Sequence, residues 1–229
     1  MKSLSRQQVR DIDRYAIEKL AVPGVVLMEN AGRNATDAIE HYLVTSRGHS
    51  IAVVAGGGNN GGDGFVIARH LVLRGAKATV FLLADPAKIS GDAAVHFNIL
   101  RNLGIEIRTL DERQFDGLHL VLRRYDLIVD AIGGTGIRGP LTGLVAAAVG
   151  KVNDSGTPVA AIDIPTGLDC DTGEAPGAVV RAAFTVTFVA RKKGFDNEAS
   201  QEFTGNVTVA DIGIPAAQVA AMIEADKIE

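Results

Sequence analysis

Three short stretches of this sequence set carboxylates, amides and hydroxyls among glycines, each directly after a short apolar segment. The first is Gly56-Gly57-Gly58-Asn59-Asn60-Gly61-Gly62-Asp63-Gly64. Glycine lets the backbone come close to a ligand, and a loop of this kind opening a helix aims amides at an anion such as a pyrophosphate. It contains Gly56-x-Gly58-x-x-Gly61, a spacing that glycine-rich β–α turns also produce simply by turning the chain. Turn geometry does not require Asn59, Asn60 and Asp63, a cluster of side-chain oxygens within the glycine run. The second stretch runs from Asp130 through Gly133, Gly134, Thr135 and Gly136 to Pro140. An aspartate among Ile128, Val129, Ala131 and Ile132 is costly to bury unpaired. Asp130 should therefore meet a cation, a donor or a substrate hydroxyl, unless it serves only as a turn cap. This stretch lacks the lysine and Ser/Thr of a P-loop, so nucleoside-triphosphate hydrolysis is unsupported. The third stretch, Asp163-Ile164-Pro165-Thr166-Gly167-Leu168-Asp169, repeats the pattern of an acid after an apolar run, with a hydroxyl three residues later.

If the apolar segments are strands of one parallel sheet, Asp130 and Asp163 converge at one edge of it. With Asn60 and Thr166 they offer hard oxygen ligands, suited to a non-transition cation or to an acid/base carboxylate beside one. Other residues read more plainly. Asp85 stands near the spacing of a ribose-binding acid but, before Pro86, reads as an exposed turn residue. There is no Gly-x-Ser-x-Gly elbow and Cys170 has no evident histidine partner, so nucleophilic acyl transfer is unsupported. Arg191-Lys192-Lys193 reads as a solvated turn, with one lysine able to reach a phosphate, and His70 as a surface or packing residue.

The elements that must position these loops follow from hydrophobic periodicity. Ser5 and Gln8 have capping-box spacing, and Val9, Ile12, Ala16 and Leu20 recur at helical intervals. Pro23 and Gly24 break that helix, and residues 25–43 form a second one in which Ala31, Gly32 and Ala35 permit close packing. Apolar strands are predicted at 51–55, 78–84, 126–132, 158–164, 183–189 and 206–212. Helices are predicted at 65–73, 93–103, 141–152 and 215–225. Continuously apolar strands alternating with helices point to a mostly parallel central sheet covered on both faces. The expected fold is therefore a Rossmann-like α/β three-layer sandwich, a single domain over 1–229 with an N-terminal helical pair at 1–46 and a sheet core at 50–229.

Composition narrows the function. The chain has 229 residues, 47% hydrophobic and 22% charged, enough for one sizeable core without a metal or disulfide staple. A net charge of −4 argues against nucleic acid as a partner. Cys170 is the single cysteine and the five histidines are scattered, which fits a reducing cytoplasm and removes zinc-ligand spacing. No apolar run approaches the ~20 residues a bilayer needs and no signal core opens the chain, so neither membrane insertion nor secretion is expected.

At the three loops together the sequence resembles the NAD(P)H-hydrate epimerase family, the YjeF N-terminal domain. The resemblance covers nearly the whole chain. It begins with Gln8-Val9-Arg10 to Asp13 and Leu27-Met28-Glu29-Asn30-Ala31-Gly32. It continues through the loop at 58–64, Ala68-Arg69-His70-Leu71, Asp130-Ala131, Gly134-Thr135-Gly136 and Asp163-Ile164-Pro165 to Gly205-Asn206-Val207 and Asp211-Ile212-Gly213-Ile214-Pro215. It implies a homodimer acting on hydrated NADH and NADPH, which carry a hydroxyl at C6 of the reduced nicotinamide. By position it implies that Asn60, Asp130 and Thr166 bind potassium (K+). It implies that Asn59, Asn60, Gly61, Gly62 and Asp63, then Gly134, Thr135, Gly136, Ile137, Arg138, Gly139 and Pro140, with Asp163, contact substrate. Thr166 stands where serine is frequent, Gly57 and Arg191 where proline is, and Gly133 where a bulkier residue is. Many bacterial relatives continue into a dehydratase domain, so with a chain ending at Glu229 that activity is expected on a separate polypeptide.

The chemistry agrees with the residues. The ring nitrogen of such a hydrate can expel a protonated C6 hydroxyl, leaving a flat iminium that water attacks from either face. One carboxyl group, assigned to Asp163 because Asp130 is expected to hold the cation, can act as acid and then base. A nicotinamide dehydrogenase would use the same fold but needs a substrate domain and a hydride-transfer acid not found here. The alternative from another class is a catalytically silent nucleotide-binding or protein-interaction module.

Overall fold

The computed structural model describes residues 2–111 and 115–226, so residues 1, 112–114 and 227–229 of the expected single domain lie outside the described part. The N-terminal helical pair is α1 (Arg6–Glu18) and α2 (Gly24–Leu43). The Ser5 hydroxyl accepts from the Gln8 amide at 3.3 Å and the Gln8 side chain from the Ser5 amide at 2.9 Å, so the capping box read from the sequence starts α1. The strands are β1 (Ser50–Ala55), β2 (Lys77–Leu82), β3 (Glu106–Thr109), β4 (Leu127–Ala131), β5 (Val159–Ile162), β6 (Phe184–Phe188) and β7 (Asn206–Ala210). They form one sheet in the order β3-β2-β1-β4-β5-β6-β7, and each of its pairings is parallel.

Alternate residues of the strands feed two cores, as a period of two requires. Ile51, Val53 and Ala55 of β1 face one core with Val9 and Ile12 of α1, Ile39 of α2 and Phe65 of α3 (Asn59–Leu73). That core also takes Phe97 of α4 (Gly91–Asn102) and Val219 of α8 (Ala216–Asp226). Ala52 and Val54 face the other, against α5 (Leu118–Leu122) and α6 (Gly143–Asp154). The result is the expected Rossmann-like three-layer α/β fold. Among the described residues no helix is long and apolar enough to cross a membrane.

Besides the four-residue helix α7 (Gln201–Thr204), two elements escaped the sequence reading. β3 reads Glu-Ile-Arg-Thr at an exposed edge, so it lacks the continuous apolar run that marks the interior strands. α5 is a single short turn and a half with too few residues to show a helical period.

The third difference concerns the glycine run. It was expected as a loop before a helix at 65–73, yet α3 begins at Asn59 and only Gly56–Gly58 remain as the turn. Glycines weaken a helix intrinsically, and here packing overrides that preference. A Cβ on Gly61 would lie 1.9 Å from the Gly56 carbonyl oxygen, and one on Gly56 would lie 2.1 Å from the Ile132 carbonyl oxygen. The start of α3 is therefore pressed backbone-to-backbone against the ends of β1 and β4. At this point the chain turns from β1 into a helix on one face and from β4 toward α6 on the other, which opens a crevice between them.

Gly61→Ala is accordingly expected to destabilise the protein by at least about 1–3 kcal/mol in urea unfolding, the ordinary penalty of overpacking. Gly58→Ala, whose Cβ meets nothing within 4 Å, should change the midpoint little.

Candidate functional site

The crevice opens into a cavity of about 610 Å³ at the carboxyl ends of β1, β4, β5 and β6, roofed by α1 and α2. Asn59, Asn60 and Asp63 from α3 line it, with Gly133 to Ile137 from the segment after β4 and Asp163 from the segment after β5. The three stretches singled out from the sequence thus meet in one place.

Asp130 ends β4 completely buried, and its carboxylate is met by donors. One oxygen accepts from the Thr166 amide at 2.9 Å; the other lies 2.7 Å from the Thr166 hydroxyl and 3.3 Å from the Ile132 amide. The same hydroxyl accepts from the Gly133 amide at 3.1 Å, with the Gly133 carbonyl 3.0 Å away. Even so, burial outweighs these bonds and pushes the Asp130 carboxyl up to about 6. Asn60 is 8% exposed and neither atom of its side-chain amide has a partner in the protein. A Cβ on Gly134 would lie 3.3 Å from the Asn60 Cγ and 3.0 Å from an Asp163 oxygen, so Gly134 is what lets Asn60 and Asp163 sit side by side. The buried Asn60 amide keeps unused coordinating capacity at the cavity wall, and Thr166, bonded to Asp130, is bonded in turn to Gly133 on the same wall.

Asp163 has its backbone in the left-handed region, at φ 67°, and the next loop over places Val189 at φ 68°. Neither is glycine, and such residues persist only where their surroundings over-determine them. Asp163 is held at both ends, its amide donating to the Val186 carbonyl at 2.7 Å and its side chain paired with Lys192. The ammonium of Lys192 lies 2.7 Å from one Asp163 oxygen and is wholly buried, against 14% exposure for the Asp163 side chain. It also donates to the Thr187 hydroxyl at 2.8 Å and to the Phe188 carbonyl at 2.9 Å, both at the end of β6. The other Asp163 oxygen is 3.4 Å from the Thr135 amide. The reading of Arg191-Lys192-Lys193 as a solvated turn is thus wrong for Lys192. Its flanking residues hide this, because nothing in three successive cations says which one points inward.

Other sequence-singled residues lie elsewhere. Gly61 and Gly62 serve packing, the latter against Met28, while Arg138, Gly139 and Pro140 are exposed beyond the lined stretch. Asp85 accepts from the Ala87 amide as an exposed turn residue. His70 and Arg69 bind Glu29 and tie α3 to α2. Cys170 is buried, and burial pushes its thiol up to about 11, far from a nucleophile.

A sequence profile for the family described as YjeF-related protein N-terminus matches residues 24–194. The chain belongs to this family. Among curated YjeF-related proteins it is 42% identical over 209 residues to the NAD(P)H-hydrate epimerase of Rhodopirellula baltica, covering 91% of this chain and 83% of that one. It is 40% identical over 215 residues to the NAD(P)H-hydrate epimerase of Oenococcus oeni, covering 92% and 96%. It is also 40% identical over 222 residues to the bifunctional NAD(P)H-hydrate repair enzyme Nnr of Moorella thermoacetica. There it covers 96% of this chain but only 42% of the relative, so this chain spans less than half of that protein. Among solved structures, a yeast protein superposes with a TM-score of 0.77 at 25% identity, covering 91% of this chain and 87% of the other.

In this YjeF-related chain, sequence reasoning did not place α1 and α2 in the site, yet Arg10 and Asp13 of α1 and Met28 of α2 line the cavity. The signal was present in the Arg10 to Asp13 spacing, which puts both on one helical face, but a helix preceding the first strand is not where sheet-edge chemistry is sought.

Lys192→Met leaves Asp163 without its cation, and breaking a buried pair from one side typically costs about 3–5 kcal/mol, to be read from urea unfolding. In the Asp163→Asn background the same change should cost less, with a coupling energy of about 0.5–3 kcal/mol. Strictly additive losses would show that the two side chains do not support each other.

Proposed function

We propose that this chain interconverts the R and S forms of hydrated NADH and NADPH, an isomerase activity of nicotinamide nucleotide repair. The observation that carries the reading is a cavity lined by Asn60 and Asp163, with the buried Asp130 and Thr166 linked to its wall through Gly133, in a chain about 40% identical over most of its length to proteins named NAD(P)H-hydrate epimerases. The short amide-rich start of α3 suits the phosphates, through backbone N–H groups at a helix N-terminus. Contacts to substrate are assigned to the residues of those stretches that line the cavity, Asn59, Asn60 and Asp63, then Gly134 to Ile137, with Asp163.

A potassium ion fits the oxygen-only set of Asn60, Asp130 and Thr166. Bound there, it would supply positive charge to the buried Asp130. Asp163, ion-paired with Lys192 and facing the cavity, is the acid/base carboxylate at C6 and an anionic neighbour for the ring as it becomes cationic. Its fixed backbone and its buried lysine hold the reactive oxygen in place. Relatives that combine two activities in one chain support a functional link to an NAD(P)H-hydrate dehydratase. The family resemblance supports a homodimer, and the single buried cysteine suits a reducing cytosol.

Chromatography of the R and S hydrates is expected to show their ratio relaxing faster with the protein than in buffer, without ATP and without loss of intact NADH. Unchanged relaxation with retained nucleotide binding would favour the silent binding module. Asp163→Asn should lower the rate by about 10²–10⁴ with nucleotide affinity little changed.

A second test concerns the ion. Exchanging potassium for a bulky organic cation should lower the melting temperature or substrate affinity of the wild type more than that of Asp130→Ala. Equal responses would remove the ion from the mechanism.

A further inference from the structure

We infer that Arg10 of α1 grips the pyrophosphate of the dinucleotide substrate, so that the N-terminal helix supplies affinity that the acidic walls of the cavity oppose. The inference rests on the epimerase reading and adds to it a binding residue outside the three sheet-end loops.

It starts from a conflict of charge. Four carboxylates line the cavity, those of Asp13, Asp63, Asp92 and Asp163, and among the described residues Arg10 is the one cation on the lining. Lys192 does not relieve the excess, because its ammonium is wholly buried and 2.7 Å from Asp163. A dinucleotide brings further negative charge at its phosphates, and like charges brought together cost binding. Arg10 is free to offset it. The side chain is exposed while lining the cavity, which places it at the mouth. Its neighbours on the helix are engaged with one another: Asp11 accepts from Gln7 at 2.9 Å and from Arg14 at 2.6 Å. Asp13, three positions on and on the same helical face, shares the lining without forming an ion pair with Arg10. Among the described residues Arg10 makes no hydrogen bond and no ion pair at all, although four acids share its cavity. An arginine left unneutralised there keeps its charge and its planar fork for a ligand, and that fork matches two phosphate oxygens at once.

The backbone that carries Arg10 is fixed. Val9 and Ile12, on either side of it, are buried in the core. Leu4 pairs with the Lys192 turn, its amide donating to the Arg191 carbonyl at 2.9 Å and its carbonyl accepting from the Lys193 amide at 2.8 Å. Arg6, almost fully buried, donates from its amide to Asp171 at 2.8 Å and from its guanidinium to Asp169 at 3.1 Å. These anchors sit on the two segments that carry Lys192 and Asp163. Arg10 comes one helical turn beyond Arg6, about 6 Å along the axis. It is therefore held toward the end of the cavity where Asp163 and Lys192 stand.

This placement selects between the phosphate groups of the substrate. With the reduced nicotinamide ring at Asp163, a single ribose separates the ring from the pyrophosphate. The 2′-phosphate that distinguishes hydrated NADPH from hydrated NADH sits on the far, adenine-bearing ribose. A cation held at the Asp163 end meets the pyrophosphate first. The start of α3 is on the same lining, so its amides and the Arg10 guanidinium can share the two phosphates.

The test measures epimerisation by the full chain in potassium buffer, with the hydrates of NADH and of NADPH. Arg10→Met keeps an unbranched side chain and removes its charge. KM is expected to rise about 10–100-fold for both hydrates, the worth of a charge-assisted phosphate contact. kcat should change little, because the grip is the same before and during the reaction. Arg10→Lys should recover part of the loss, since an ammonium keeps the charge but not the fork. Inorganic pyrophosphate should compete with either hydrate, and its inhibition constant should rise about tenfold or more in Arg10→Met. An unchanged KM for both hydrates would overturn the inference, as would a fall in kcat alone, which would move Arg10 from binding into the chemistry. A KM that rises for hydrated NADPH alone would assign Arg10 to the 2′-phosphate and overturn its assignment to the pyrophosphate. A wild type that does not epimerise would refute the activity, and calorimetric binding of NADH would still decide Arg10. Weaker binding to Arg10→Met would support the grip; equal affinity, or no binding to either chain, would overturn it.

Discussion

A lysine with no exposed surface fixes the site. Lys192 cannot sit among the ends of β6 without acceptors, and it finds them in Thr187, Phe188 and one oxygen of Asp163. Asp163, which it pairs with, stands in a left-handed backbone conformation unusual for a residue with a side chain. The segment after β4 passes within contact distance of Asp163 and of Asn60, where a Cβ at position 134 would crowd both side chains. The ends of β5, β6, β4 and α3 are thereby coupled through one ion pair, and α1 is bound to the same turn through Leu4.

The second constraint is the absence of space. At Gly56 and Gly61 backbone oxygens occupy the positions where Cβ atoms would be, so the polar residues of the first loop do not sit on a flexible strap. They sit on the first turns of a helix wedged between two strands. Such rigidity is what an acid/base or ligand constellation requires, since misplacement by an ångström is costly in rate.

Much of this was legible in the sequence, and the limits have physical causes. Interior strands such as Leu127–Ala131, buried on both faces, announced themselves as apolar runs. Asp130 was conspicuous because a charge among Ile128, Val129 and Ala131 needs an explanation, and the structure supplies it in Thr166. Lys192 was not legible, because its identity as the inward residue depends on a contact with Asp163 29 positions earlier in the chain. The start of α3 was misjudged for a related reason. Local propensity counts the glycines against a helix, while the packing that needs them comes from β4, far away in sequence. Asp13 was noticed as part of a pattern and not as a cavity residue, since it reaches the cavity only when α1 is folded over the sheet edge.

Charge decides between binding and catalysis in this cavity. A dinucleotide carries phosphates, and a module built only to hold it would gain from cations along its walls. Among the described residues, Asp13, Asp63, Asp92 and Asp163 line the cavity against Arg10 alone, with Lys192 paired to Asp163 in the interior. Such walls work against affinity for the ground state of an anionic ligand. They favour a ring that becomes positively charged partway through a reaction, because a carboxylate held in place as Asp163 is by Lys192 stabilises that charge without reorganising when it appears. An arrangement that weakens binding of the resting ligand while stabilising a transient cation is the signature of differential stabilisation. It gives the acidic cavity a purpose in epimerisation that it does not have in a silent binding module.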